Sequence, residues 1–266
     1  MSNKFLKSIL IYAILFSLGC TKNVLHESPY DLTDGMGLVK INYSCPYYSN
    51  PGVMVKINGN VVSSLITYST PYPGGGLNTG GNTYADYLSV KPGNDTFSLV
   101  VPISGTSIPD RTLLTTVLNI KENIYQTVHF TDTASNTKAY ITQDWATRPD
   151  SGKVLYRFVN LIPNAPVGLD LYFDTSEAFK KPVASNIGYL QATDTFSLDA
   201  GTSSPWALKL NGVNGLKVNG KDSFFAVYSS VNSVANQRVF TIYARGYCGL
   251  PTTDVRSSKI SFEYNK

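Results

Sequence analysis

Cys20 carries the most specific chemistry in the chain, because of what precedes it: an apolar run from Ile9 to Leu18, then Gly19. Lys4 and Lys7 give that run a basic start and Thr21-Lys22-Asn23 a polar exit. These are the n-region, h-region and small-residue cut of a secretory signal. The run is too short for a stable spanning helix, which needs about 20 apolar residues. A thiol at such a cut can be diacylated before cleavage, and its freed amine acylated afterwards. Three chains at about 0.8 kcal/mol per buried methylene anchor firmly where a single chain is marginal. Ser17 stands where these signals usually carry Leu, with Leu18 one step later. The expectation is a signal peptide over residues 1–19 and a lipidated tether over 20–35. Covalent lipid at Cys20 then holds the chain on a bacterial outer membrane, with the face left open.

Other chemistry-bearing residues are sparse. Of the two histidines, His26 lies in the tether and His129 sits on an alternating segment beside Val128 and Phe130. One structured histidine cannot build a His-rich zinc site, and no nucleophile elbow accompanies it. A glycosidase needs two carboxylates at a fixed separation, whereas Asp95, Asp110, Asp132, Asp150, Asp194 and Asp199 are spread singly through turn-like stretches. The run Pro73-Gly74-Gly75-Gly76-Leu77-Asn78-Thr79-Gly80-Gly81 lacks the Gly-Lys-Ser/Thr ending of a phosphate loop. The chain therefore reads as no enzyme, with no cofactor and no metal site. Cys45 and Cys248 lie near opposite ends of the folded region, in a compartment where a disulfide persists. A bond between them would staple the two halves; the simpler reading is two separate thiols.

Binding chemistry is concentrated around the glycine-rich stretch, where Tyr68, Tyr72, Tyr84 and Tyr87 cluster in sequence. Aromatics on a loop stack on sugar rings or anchor a protein partner. Tyrosine is equally a strand residue with one apolar face and one wet end. This loop is the candidate binding site. The formal net charge of +4 includes Lys4 and Lys7, so the cut chain carries +2. With no basic cluster after Cys20, nucleic acid is excluded as a partner.

The elements that position these residues are strands. Val39-Lys40-Ile41-Asn42-Tyr43, Val53 to Ile57, Thr96 to Leu99, Tyr125 to Phe130, Leu169 to Phe173 and Val239 to Tyr243 all alternate with period two. Such alternation places one face on a core and the other in water. Asn50-Pro51-Gly52, Asn58-Gly59, Pro92-Gly93-Asn94 and Asn211-Gly212 punctuate them as turns. The fold class is all-β. Asp95-Thr96-Phe97-Ser98-Leu99 recurs as Asp194-Thr195-Phe196-Ser197-Leu198, and Ile41 to Pro46 resembles Phe158 to Pro163. An in-order echo at about a hundred residues is a domain duplication. It divides the chain into a first β-sandwich at 36–147, a second at 152–250, and a tail at 251–266 with one more strand at Ile260 to Tyr264.

The second half, Arg157-Phe158-Val159-Asn160-Leu161-Ile162-Pro163-Asn164-Ala165-Pro166 leading into Leu169-Asp170-Leu171-Tyr172, resembles the opening of the bacterial domain-of-unknown-function family 4397. Val239 to Gly246 is similar to that family's last strand. The resemblance covers Val154 to about Gly249, and reaches the first half only through the internal repeat. It implies tandem Ig-like antiparallel sandwiches in lipoproteins of Gram-negative bacteria, and no established activity. Within the motif, Asp170 is placed to pair with Arg157 or to accept turn hydrogen bonds. The function expected is a non-catalytic, lipid-anchored binding or structural module whose partner is a glycan, matrix or envelope protein. The alternatives are a fimbrial-type subunit that donates Ile260 to Tyr264, against which stands the absence of any Arg before Arg111, and a polysaccharide-degrading accessory enzyme.

Overall fold

The computed structural model describes residues 35–69, 76–79, 84–103, 109–173, 181–202, 204–213, 217–218, 221–222, 225–228 and 236–265. The expectations for the signal peptide, Cys20, the tether before Gly35 and Tyr72 lie outside the described residues.

The chain is all-β. Its first half forms β1 (Gly37–Ser44), β2 (Met54–Ile57), β3 (Asn60–Val61), β4 (Leu88–Val90), β5 (Gly93–Val101), β6 (Arg111–Ile120), β7 (Tyr125–Thr131) and β8 (Lys138–Gln143). Its second half forms β9 (Lys153–Asn160), β10 (Leu169–Phe173), β11 (Pro182–Ile187), β12 (Gln191–Ala192), β13 (Phe196–Asp199) and β14 (Trp206–Leu210). A short hairpin, β15 (Lys217–Val218) and β16 (Lys221–Asp222), precedes β17 (Ala226–Tyr228), β18 (Val239–Arg245) and β19 (Lys259–Tyr264).

Each half pairs its strands in the same pattern. An inner sheet runs β4-β1-β7-β8 and an outer one β3-β2-β5-β6; in the second half these become β12-β9-β18-β19, with β13 also on β9, and β11-β10-β14-β17. The all-β sandwich class expected from the sequence holds, and each half adds one parallel pairing to its antiparallel strands, β1 with β7 and β9 with β18. The repeated pentapeptide is not equivalently placed. Asp95–Leu99 lies on β5 of an outer sheet, whereas Phe196–Asp199 is β13, an edge of an inner sheet.

Alternation explains the two cores. Val39, Ile41 and Tyr43 of β1 and Val128 and Phe130 of β7 meet Val55, Ile57, Phe97 and Leu99 of the outer sheet. In the second half Val154, Tyr156, Phe158, Ile242 and Ala244 meet Leu169, Leu171, Trp206 and Leu208. Burying each large apolar side chain contributes roughly 1.5–3 kcal/mol. Asn50 and Asn58 take left-handed φ values of 43° and 50° in their turns, a conformation asparagine tolerates better than most residues.

The opposite faces of the inner strands do not face water, as period two alone suggested. All eight residues of β1 are buried. Its polar side, with Lys40, Asn42 and Ser44, packs on the polar side of the second inner sheet. Lys40 meets Glu263 and Asn265, Thr131 donates to the Leu161 carbonyl at 2.7 Å, and Arg245 reaches the Tyr68 carbonyl at 2.5 Å. The four principal sheets therefore stack in order outer, inner, inner, outer, joined by a buried polar seam.

Candidate functional site

At one end of the seam a set of ionisable groups is enclosed. The Lys40 ammonium donates to the Tyr264 carbonyl and to Asn265 Oδ1 (3.3 Å), lies 3.8 Å from Glu263 Oε1, and sits 4.3 Å above the Tyr87 ring. Thr127 Oγ1 is 2.6 Å from Asp144 Oδ2 and 2.9 Å from Glu263 Oε1. A hydroxyl has one proton to give, so the second of these contacts requires a proton on a carboxyl. Glu263 is the group that holds it. Its pKa is pushed up to about 7, first by burial and then, against the pull of Lys40, by the neighbouring Asp144 charge. Its Oε2 has no partner, which costs less on a neutral acid than on a carboxylate. Asp144 also accepts from the Tyr87 hydroxyl at 3.0 Å.

His129 continues the network. Asn42 Oδ1 accepts from Ser44 Oγ at 2.9 Å, so the Asn42 amide nitrogen faces His129 Nδ1, also at 2.9 Å. His129 therefore carries its proton on Nε2 and donates it to Thr142 Oγ1 at 2.9 Å. Burial lowers its pKa to about 3, and the ring is neutral and committed to structure. Among the described residues no group of three or more His, Cys, Asp or Glu side chains is placed to hold a metal ion.

The tyrosines of the expected binding loop are dispersed. Tyr68 is fully buried, with the Arg245 guanidinium 4.3 Å from its ring; it joins the halves and cannot meet a ligand. Tyr87 is held between Lys40 and Asp144. Tyr84 is 47 % exposed, but its ring packs 4.8 Å from that of Tyr264, tilted at 48°. The physical reason is the path of the glycine-rich segment. Tyr43 N–H donates to the Gly76 carbonyl and Asn78 N–H to the Ile41 carbonyl, so residues 76–79 lie along β1. Gly76 has φ +84°, and a Cβ there would stand 2.3 Å from the Tyr43 carbonyl oxygen. Cys45 is buried in the first core and Cys248 is half-buried; both are free thiols. Asp170 does not pair with Arg157. It accepts from Ser185 Oγ (2.7 Å), Asn186 N–H (2.8 Å) and Asn211 Nδ2 (3.0 Å), while Arg157 donates to the Gln143 carbonyl.

A different surface gathers at the other end. Because β1 and β7 run parallel, as do β9 and β18, the loops that follow all four leave at one end of the stack. They are bonded together there. The Tyr247 hydroxyl donates to Asp132 Oδ1 at 2.8 Å and accepts from Thr133 Oγ1 at 2.8 Å, and Ala134 N–H donates to the Tyr47 hydroxyl at 2.7 Å. Asn164 and Cys248 exchange two bonds, and Arg256, paired with Asp254 at 2.7 Å, lies 5.3 Å from the Tyr48 ring. Gly246, with φ +95°, admits the Ser257 carbonyl oxygen to within 2.4 Å of where a Cβ would be.

Tyr48 is 75 % exposed at this end. Beside it an open cleft of about 330 Å³ is lined by Tyr47, Arg111, Thr112, Leu113, Ala134 and Ser135. Ala134 holds φ +53° and Asp132 φ +62°, a region costing an alanine roughly 1 kcal/mol or more. Gly35, the first described residue, lies at the opposite end, about 25 Å away along the eight-residue β1. Arg111 and Ala134 carry no signal in the sequence, because only the pairing of β1 with β7 and of β5 with β6 brings their segments beside Tyr47.

The chain is similar to solved structures at low identity. A nominal cell adhesion protein of Bacteroides uniformis aligns at 9% identity, covering 87% of this chain and 98% of that one, with a TM-score of 0.25. A family 26 carbohydrate-binding module of Eubacterium rectale Amy13K, solved with maltoheptaose, aligns at 14% identity over 85% and 95%, also at 0.25. A nominal cell adhesion protein of Bacteroides fragilis aligns at 8% identity over 82% and 84%, at 0.22. Superpositions this loose say nothing about what the chain binds. A search of curated proteins finds no match. The family model described as a domain of unknown function, DUF4397, matches residues 48–172. That range runs from the loop after β1 through β10, so the Arg157–Tyr172 motif stands at the end of the match and not at its opening, and the first half carries most of the likeness.

Proposed function

We propose that the chain is a non-catalytic, lipid-anchored envelope module that binds a glycan at its loop end. The observation that carries this reading is the convergence of the loops after β1, β7, β9 and β18 at the end opposite Gly35. A chain tethered through Cys20 presents that end away from the membrane. The cleft offers what a polyhydroxylated ligand uses: the ring and hydroxyl of Tyr47, the Arg111 guanidinium, and the hydroxyls of Thr112 and Ser135. Its volume falls in the range of small-ligand sites. The inter-loop bonds hold it preformed, which limits the ordering cost of binding. A surface-exposed guanidinium and an aromatic ring suit recognition better than bond cleavage, for which the cleft supplies no carboxylate pair.

The fimbrial alternative is weakened by β19. The strand it would donate is paired with β18 in its own chain, from Phe240↔Tyr264 to Arg245↔Lys259.

The test is a glycan array probed with the full chain, alongside Arg111→Ala and Tyr47→Ala. Binding to a defined glycan class that both substitutions reduce tenfold or more supports the reading. An empty array, or binding that neither substitution changes, rejects it. Lipid at Cys20 is read separately, as acyl mass on the N-terminal peptide.

A further inference from the structure

Most sheet edges of this protein are protected against pairing with another chain. An edge strand offers a row of open N–H and C=O groups, and proteins blunt it by shortness, charge, proline or a bulge. β3 and β12 are two residues long, and β4 and β17 are three. β8 opens with Lys138, and β19 with Lys259. β11 begins with Pro182 and breaks register twice against β10. Beside β12, β13 is four residues and ends at Asp199, which pairs with Lys153.

β6 is the exception. It is ten residues long, it is last in the order β3-β2-β5-β6, and after Arg111 it has no charged residue and no proline. Among the described residues nothing pairs with its outer edge. The register shift against β5 sets Leu113 out of line, between Leu99↔Leu114 and Val100↔Thr112. From Leu114 to Ile120 the strand is regular. Near the middle of that stretch Val117, the second most exposed large hydrophobic residue of the described set, is 61 % exposed.

We infer that β6 is a docking edge for a second copy of this chain, paired antiparallel about a two-fold axis at Val117. The sequence of the regular stretch is compatible with itself in that register. Leu114 falls opposite the second copy's Ile120, Thr115 opposite Asn119, Thr116 opposite Leu118, and Val117 opposite its own counterpart. No like charges oppose each other, and β-branched or apolar side chains meet at most positions, the pairs that stabilise sheets. A two-fold axis makes the contact close on itself. The two outer sheets join into one. β6 runs from the cleft, which Arg111 lines, toward Gly37, beside which Ile120 packs. Antiparallel pairing therefore sets two copies head to tail, with their loop ends pointing apart. It joins chains held on facing surfaces, a consequence that rests on the proposed anchoring, whereas the pairing itself does not.

Sedimentation velocity on the full chain in mild detergent tests it, with Val117→Lys and a set of cysteine variants. The wild type is expected to sediment as a concentration-dependent dimer, and Val117→Lys as a monomer that melts like the wild type diluted below its dimerisation range. Val117→Cys should cross-link to itself under oxidation at least tenfold faster than Val61→Cys, which carries the same native thiols on another edge. Thr115→Cys and Asn119→Cys should link when mixed and not when separate. A monomer at every concentration, a dimer that survives Val117→Lys, or Thr115→Cys linking to itself would overturn the proposal.

Discussion

Raising the pH from about 5 to above 7 should destabilise this protein relative to a Glu263→Gln variant, and the cause should be one buried carboxyl. Glu263 is fully enclosed, and its pKa rises from an ordinary 4.5 to about 7, with burial the largest cause. Between those values the folded chain holds a proton on Glu263 that the unfolded chain releases. Unfolding there becomes more favourable as pH rises, with a slope of up to about 1.4 kcal/mol per pH unit for one proton. Over this window the loss sums to about 3 kcal/mol, and it levels off above the folded pKa. The groups facing Glu263 are Lys40 from β1, Thr127 from β7 and Asp144 beyond β8, with Tyr87 on Asp144. Glu263→Gln reproduces the protonated form, since its amide can donate to Thr127 while Asp144 remains to balance Lys40. Chemical denaturation of both proteins from pH 5 to 8 reads the effect. The variant should match the wild type near pH 5 and exceed it by about 3 kcal/mol at pH 8. Asp144, also raised by burial, adds a fall of the same sign in both proteins, and the buried neutral His129, its pKa lowered to about 3, adds a rise below about pH 6.5 in both. The gap between the two proteins therefore carries the test, and a gap that stays constant from pH 5 to 8 would refute the reasoning.

Further outcomes follow from single positions. Gly76→Ala should cost about 2 kcal/mol or more in thermal or chemical denaturation, because φ is +84° and the new methyl would meet the Tyr43 carbonyl oxygen. Tyr43→Phe should raise stability by about 1 kcal/mol, since the hydroxyl it removes is buried without a partner. Ala134→Gly should also stabilise, by about 1 kcal/mol, by relieving a left-handed alanine. Arg245→Met should cost roughly 3 kcal/mol, because it leaves the Tyr68 carbonyl and Ser261 without their buried donor. A loss no larger than that of an Arg256→Met control, whose side chain is 34 % exposed, would contradict the last.

Strands and turns were legible because period two and Asn-Gly or Pro-Gly pairs are local signals. β1, β7, β10 and β18 lie where alternation put them. What was not legible was the partner of each polar face. Lys40, Asn42 and Thr127 alternate with apolar neighbours in the same way whether their side of the sheet meets water or another polar sheet. Nothing near Lys40 in sequence announces Glu263, more than two hundred residues away. The repeated Asp-Thr-Phe-Ser-Leu misled for a related reason. Alternating Thr, Phe and Ser suit any half-buried strand, so identical words came to serve an outer-sheet strand once and an inner-sheet edge the second time. Tyrosine count drew the eye to a loop whose Tyr68 and Tyr87 are spent on the seam, while the cleft gathers Tyr47, Arg111 and Ala134 from three separate segments.

Four loops form a single surface only if the seam makes one body of the two sandwiches. Differential scanning calorimetry of the full chain tests this most directly. One cooperative transition, whose calorimetric and van't Hoff enthalpies agree, is the predicted result. Two separable transitions, with the loop-end cleft surviving the loss of one half, would contradict it.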